Sequence, residues 1–189
     1  MSAAAGAGTG RAGSAAPAVR EARPADLPRI WELLLELAGY EKLGHLTTGT
    51  PEKLGRHLFG DAWPRVECLV AESGGEIVGY ALFFGCFSSF WTAPLLWLED
   101  LYVTGSLRGR GVGRVLLAEL ARIAVERGCP RVGWAVLDWN APAMEFYRRL
   151  GATRSAGWMA FELAGERLAA LAAESGSARA TGAGGAPPA

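Results

Sequence analysis

The spacing of apolar residues changes period several times between Val19 and Leu163, and each change predicts an element. Residues 19–22 suit a short first strand. From Asp26, a candidate N-cap, Ile30, Leu33, Leu34 and Leu37 recur on one helical face, with Gly39 as the expected stop. Thr50-Pro51 opens a second, short helix, a cap followed by proline in the first turn. The apolar runs 68–72 and 77–84 flank Ser73-Gly74-Gly75-Glu76 and predict a hairpin. A strand over 95–103 follows. Next, Val112, Leu116, Leu120, Ile123 and Ala124 return to helical spacing, closed by Gly128-Cys129-Pro130. Residues 131–137 read as a buried strand, Asn140 caps a helix ending at Gly151, and 158–163 read as a last strand. Antiparallel strands followed by strand–helix–strand–helix–strand predict an α/β fold with a mixed, mostly antiparallel central sheet flanked by helices.

Outside this patterned stretch the chain is Ala/Gly-rich. Neither 1–18 nor 173–189 carries enough apolar surface to offset chain entropy, so both are expected to be disordered tails around one folded domain, 19–172. The first tail has no apolar signal-peptide core and little of the arginine expected of a transit peptide. A chain of 189 residues with 50% hydrophobic content can build a real core. With Lys+Arg 19 against Asp+Glu 19, nothing points to nucleic acid as partner. Cys68, Cys86 and Cys129 are scattered and odd in number, and His45 and His57 are the only histidines. A disulfide framework and a metal centre are therefore not expected, and a reducing, cytoplasmic setting is. No apolar run reaches the ~20 residues of a membrane span.

The most informative stretch is Arg108-Gly109-Arg110-Gly111-Val112-Gly113, between a strand and a helix start. The first helical N–H groups have no internal acceptors, and glycines let the backbone approach a bulky anion, so this junction suits a phosphate group. The dinucleotide fingerprint fails, because its third glycine would fall on Arg114 or Leu116, and no Gly-Lys-Ser/Thr is present for a Walker loop. What remains, Arg-x-x-Gly-x-Gly, resembles the pyrophosphate loop of the GNAT superfamily of N-acetyltransferases, enzymes that use acetyl-CoA.

Forming an amide from an amine and a thioester sets three needs. An amine of pKa near ~10 must lose a proton. The carbonyl oxygen needs donors as it becomes an oxyanion, and the departing thiolate benefits from an acid. Glu99, on an otherwise apolar strand just before the loop, is a candidate base whose desolvation would raise its pKa. It could equally be a strand-edge carboxylate in solvent or the partner of an arginine. Tyr147 is a candidate acid, or a core aromatic at helical spacing. Asn140 lies two helical turns before it, ~10 Å along the axis, as a cofactor contact or a simple cap.

The segments 98–103, 108–113 and 135–152, together with Tyr40-Glu41-Lys42-Leu43 and Phe87-Ser88-Ser89-Phe90-Trp91, occur in the order and spacing of one branch of that superfamily. The chain resembles the diamine (spermidine/spermine) acetyltransferases over nearly all of 19–163. The resemblance implies the GNAT fold, a homodimer, Glu99 as base through water and Tyr147 as proton donor to the thiolate. It implies that Leu101 and Val103 bind the acetyl and pantetheine arm through their backbone. Arg108, Gly109, Gly111, Val112, Gly113 and Arg114 would form the pyrophosphate loop, Asn140 a further acetyl-CoA contact, and Glu41, Trp91 and Asp100 the amine site. In the branch it resembles, members acting on polyamines tend to carry an acidic residue where this chain has Ser89. Its loss removes a charge-assisted contact worth roughly 1.5–3 kcal/mol when desolvated. A short diamine or diamino acid, thialysine and ornithine included, is therefore expected to be preferred to spermine. Peptide acetylation and a non-catalytic acyl-CoA-binding module are the competing readings.

Overall fold

The computed structural model describes residues 16–157 and 159–181. The chain divides into two compact units, the first ending at Leu137 and the second beginning at Asp138. The first holds strands β1 (Ala18–Glu21), β2 (Glu67–Ser73), β3 (Glu76–Ser88), β4 (Ala93–Val103) and β5 (Val132–Trp134). Its helices are α1 (Leu27–Tyr40), α2 (Pro51–Phe59) and α3 (Val112–Glu126). The five strands lie in the order β1-β2-β3-β4-β5, antiparallel except for the parallel pair β4–β5, so the sheet is mixed and mostly antiparallel.

Two apolar clusters cover the two faces. On one, Leu116 and Leu120 of α3, both wholly buried, pack with Leu69, Ala71, Ala81, Phe83, Leu96 and Leu98. On the other, Ile30 and Leu33 of α1 and Leu58 of α2 pack with Val70, Tyr80, Leu82 and Tyr102. Each fully buried leucine contributes about 1.5–3 kcal/mol, so helical period and strand alternation, meeting in these clusters, fix which side every strand residue takes.

Several boundaries move for identifiable reasons. α1 runs on past Gly39 to Tyr40, and the left-handed residue after it is Lys42 (φ 62). Asp26 does not cap α1. Its carboxylate instead accepts from the Arg23 N–H at 2.7 Å and from Arg20 at 2.6 and 3.0 Å, while Arg20 also binds Glu72. Thr50 caps α2 as expected, accepting from the Lys53 N–H at 3.3 Å. The strand expected over 131–137 is only Val132–Trp134, half-buried, because its partner β4 changes register just beyond the paired residues Leu96–Leu98.

In the second unit, α4 (Ala141–Arg149) starts at Asn140, whose side chain accepts from the Ala143 N–H at 3.3 Å. A strand over 158–163 is not formed among the described residues. Residues 159–163 pair with no strand, which leaves their backbone without a ladder, and Phe161 is 90% exposed. Trp158 lies outside the described residues. A further helix, α5 (Gly165–Thr181), takes in 173–181 of the segment assigned to the C-terminal tail; 182–189, and 1–15 of the N-terminal one, lie outside the described residues.

The Arg20–Asp26–Glu72 cluster ties β1 to β2 and to the turn before α1. Ionic partners hold the buried Asp26 carboxyl below its ordinary value, first through the Arg20 hydrogen bonds. A depressed carboxyl stabilises the fold above its unfolded pKa near ~4, and that contribution is lost as pH falls through the lower folded value. Asp26→Ala is expected to cost about 1–3 kcal/mol at pH 7 and less below pH ~4; denaturant titrations at both pH values check this.

Candidate active site

Strand β4 carries an extra residue at its centre. Leu98 pairs with Phe83 and Asp100 with Leu82, so Glu99 has no opposite number on β3. Such a bulge bends the strand and shifts its alternation by one. Before it, Leu96 and Leu98 face α3. After it, Leu101 and Val103 face α3, while Asp100 and Tyr102 turn to the α1 side. Trp97 and Glu99 take the side opposite Leu96 and Leu98, so the consecutive carboxylates Glu99 and Asp100 project from the same face.

Their surroundings differ. Glu99 is exposed and accepts from the Trp97 indole N–H at 3.0 Å. The desolvation expected of Glu99 is therefore not found; it falls on Asp100 instead, because the bulge pushes Glu99 outward. Asp100 Oδ2 accepts from the hydroxyl of Tyr80, which is fully buried, at 3.1 Å. Burial pushes the Asp100 carboxyl up to about 6, the Tyr80 hydrogen bond opposes this, and the charges of Glu99 and Glu41 add to it. Glu41, one residue beyond α1, is also raised by burial. Glu41, Glu99 and Asp100 thus form one acidic patch, and burial and mutual repulsion make it a place where a cation would be favoured. Tyr80 was not visible in the sequence as a site residue; its only signal is its register position opposite Tyr102.

Trp91 is not in this patch. It lies in the β3–β4 turn, nine residues before Asp100, and the seven-residue rise of β4 from Ala93 to Asp100 alone spans about 23 Å. It is half exposed, with the Arg131 guanidinium over its ring at 5.2 Å. Ser89 is in the same exposed turn, its carbonyl accepting from Thr92 Oγ1 at 3.2 Å.

Among the described residues, no strand pairs with β4 on the β5 side beyond Leu98, so no ladder occupies that edge from Glu99 to Tyr102. The edge leads straight into the glycine loop. Gly109 (φ 75) and Gly111 (φ 88) take left-handed conformations, and Gly111 is the N-cap of α3 without any side-chain cap. The N–H groups of Val112, Gly113 and Arg114 therefore lack helical acceptors, and Arg110 and Arg114 are exposed beside them. The Arg108 side chain turns away, its Nε donating to the Val103 carbonyl at 3.1 Å. An extended acyl arm along the strand edge and an anion on the helix start fit these groups.

In the second unit, Asn140 is buried at the start of α4. The ring of the half-buried Tyr147 meets that of Phe146 at a tilt of 53°, with centroids 5.3 Å apart. Among the described residues, no helix is long and apolar enough to cross a membrane, and no group of three or more His, Cys, Asp or Glu could hold a metal ion.

Comparison with known proteins converges on one family. A family model described as "Acetyltransferase (GNAT) family" matches residues 31–152. A thialysine N-epsilon-acetyltransferase of Mus musculus is 39% identical over 165 residues, 82% of this chain and 96% of that protein. A spermidine/spermine N(1)-acetyltransferase-like protein of Homo sapiens is 34% identical over 82% of this chain and 24% of its own length. Among solved structures, an integron cassette protein from the mobile metagenome of V. cholerae superposes with a TM-score of 0.69 at 23% identity, over 82% of this chain and 97% of that one.

The raised Asp100 carboxyl works against stability. Its folded pKa lies above the unfolded one, so the fold loses up to about 3 kcal/mol as pH rises from ~4 to above ~6. Asp100→Asn, which keeps an acceptor for Tyr80, is expected to raise Tm at pH 8 and leave it nearly unchanged below pH ~4. Thermal unfolding across pH measures this, and a lower Tm at pH 8 would contradict it.

Proposed function

The chain belongs to the acetyltransferase (GNAT) family, and we propose that it transfers the acetyl group of acetyl-CoA to a primary amine of a short diamine or diamino acid. The observation that carries this reading is the bulge at Glu99, which sets a carboxylate pair on one face of β4 and opens the edge of the same strand towards the anion loop.

The acyl arm lies along the open edge at Leu101 and Val103, where backbone N–H groups can stabilise an oxyanion. The pyrophosphate rests on the loop from Gly109 to Arg114, held by the free N–H groups of Val112 and Gly113 and by the cations of Arg110 and Arg114. Asn140 adds a further contact. The ammonium substrate is drawn to Asp100 and Glu41. The exposed Glu99 takes its proton through a water, and the freed nitrogen attacks the thioester carbonyl. The C–N bond forms as the C–S bond breaks, and Tyr147 gives its proton to the departing thiolate. The second proton lost by the new amide nitrogen returns through water to the tyrosine oxygen, and Glu99 releases its own proton to solvent. Asn140 and Tyr147 belong to the second unit, and their roles rest on the sequence resemblance alone. Transfer is direct; Cys68 and Cys129 are buried and have no part in it. The reading also includes a homodimer, supported by the same resemblance, and a cytoplasmic setting, supported by the scattered cysteines.

The acidic patch is small, and Ser89 puts no carboxylate in the β3–β4 turn. These features, with the thialysine-acetylating relative, support a short substrate over spermine. A thiol-release assay across thialysine, ornithine, lysine, putrescine, spermidine, spermine and a peptide N-terminus tests this. The expected order has a diamino acid or short diamine about tenfold or more above spermine in kcat/KM; spermine at the top would overturn it. Glu99→Gln is expected to lower kcat about a hundredfold at pH 7, with the deficit shrinking as pH approaches the amine's own pKa near ~10. Tyr147→Phe should lower kcat while the acetyl-CoA Kd from calorimetry stays unchanged.

A further inference from the structure

Arg108 opens the glycine loop, yet its side chain does not follow the loop backbone towards the start of α3. Its guanidinium lies over the ring of Tyr40, 4.2 Å from the centroid, and 5.2 Å from the centroid of Tyr102. Its Nε donates to the Val103 carbonyl at 3.1 Å. A flat, weakly hydrated cation between two aromatic faces is a contact that guanidinium makes and ammonium does not reproduce.

Both rings are anchored to α1. Tyr40 is its last residue. The Tyr102 hydroxyl donates to Glu36 Oε2 at 3.2 Å, the Thr104 hydroxyl to the same oxygen at 3.0 Å, and Arg29 reaches Glu36 Oε1 at 3.2 Å. The residue after Tyr40 is Glu41, a member of the acidic patch beside Asp100. Lys42, next again, takes the left-handed conformation (φ 62) that closes the helix, with the Leu43 N–H donating to the Ala38 carbonyl at 2.9 Å. Glu41 follows Tyr40 directly at this helix end, so what holds the Tyr40 ring bears on where Glu41 sits, and Arg108 is one such grip.

We propose that Arg108 is a positioning residue for the amine site: it clamps the Tyr40–Glu41 end of α1 against β4 and does not hold the pyrophosphate through its side chain. The loop's anion contacts are then its backbone N–H groups with Arg110 and Arg114. This rests on the amine-acetyltransferase reading above and extends it, because a residue of the cofactor loop sets the geometry of the other substrate.

Steady-state kinetics and acetyl-CoA calorimetry on Arg108→Ala, Arg108→Lys, Tyr40→Leu and Tyr40→Phe test the clamp, with thermal unfolding of each variant as a check on folding. Arg108→Ala is expected to raise the amine KM about fivefold or more while the acetyl-CoA Kd moves by less than about twofold. Tyr40→Leu should give the same split, Tyr40→Phe should stay close to the wild type, and Arg108→Lys should fall between. The double variant Arg108→Ala/Tyr40→Leu should be no worse than the more severe single one, since both remove the same contact. A tenfold weaker acetyl-CoA Kd with an unchanged amine KM would make Arg108 a pyrophosphate ligand and overturn the proposal, as would single effects that multiply in the double variant. If no short diamine or diamino acid supports thiol release by the wild type, the substrate reading fails separately. The same variants are then compared on whichever amine of the panel the wild type acetylates.

Discussion

One extra residue in β4 organises this molecule's site. A strand that alternated without interruption would send Asp100 to the same side as Leu98, into the apolar cluster under α3, where an isolated carboxylate would be several kcal/mol out of place. The bulge at Glu99 shifts the alternation, puts Glu99 and Asp100 on one face, and hands Leu101 and Val103 back to the α3 side. Pairing with β5 stops at Leu98, where the bulge begins, and among the described residues no strand takes up the edge beyond it. Acidic face and open edge thus have a single cause.

Holding that face together has an energetic cost that the fold partly offsets. Asp100 is desolvated and lies near two other carboxylates, and it accepts a hydrogen bond from the buried hydroxyl of Tyr80. A site with unmet negative charge is less stable empty than filled, the usual relation between a binding site and the scaffold that carries it. The scaffold can bear this because two apolar clusters support it, with Leu116 and Leu120 on one side and Ile30 and Leu33 on the other wholly buried, and the second of them supplies the Tyr80 hydroxyl to the patch.

The elements of the first unit were legible because their signals are local. Helical spacing from Val112 to Ala124, the Thr50-Pro51 cap and the Gly74-Gly75 turn each specify a structure without reference to distant residues. What was not legible depends on partners. Residues 131–137 look like a full strand, but how much of it pairs is decided by the bulge in β4, for which neither Glu99 nor Asp100 gives a local signal. Residues 159–163 alternate as a strand would, yet a strand exists only where another supplies its ladder, and here none does. Asp26 has the chemistry of a cap, but Arg20, from β1, bound it first. In the site, Glu99 and Asp100 stood out as adjacent carboxylates. Which of them is buried, and the part of Tyr80, follow from register and needed the fold.

A chain with equal numbers of acidic and basic residues can still present a strongly patterned field. Followed along β4, the sign changes twice. Arg131 covers Trp91 by the β3–β4 turn, the carboxylates of Glu41, Glu99 and Asp100 occupy the middle, and Arg108, Arg110 and Arg114 follow at the loop. On the proposed reading, two substrates of opposite charge meet on this strand, the anionic donor at the loop and the ammonium on the acidic face. The positive ends confine the favourable region for a cation to the few residues between them. A second ammonium on a short chain can share the three carboxylates. A polycation long enough to leave the patch along the strand would meet arginine in either direction, and a like-charge approach in a partly desolvated setting opposes binding. The short-amine preference that we propose would therefore have two sources, the missing carboxylate at Ser89 and the cations that bracket the patch. Only the first could be read without the structure.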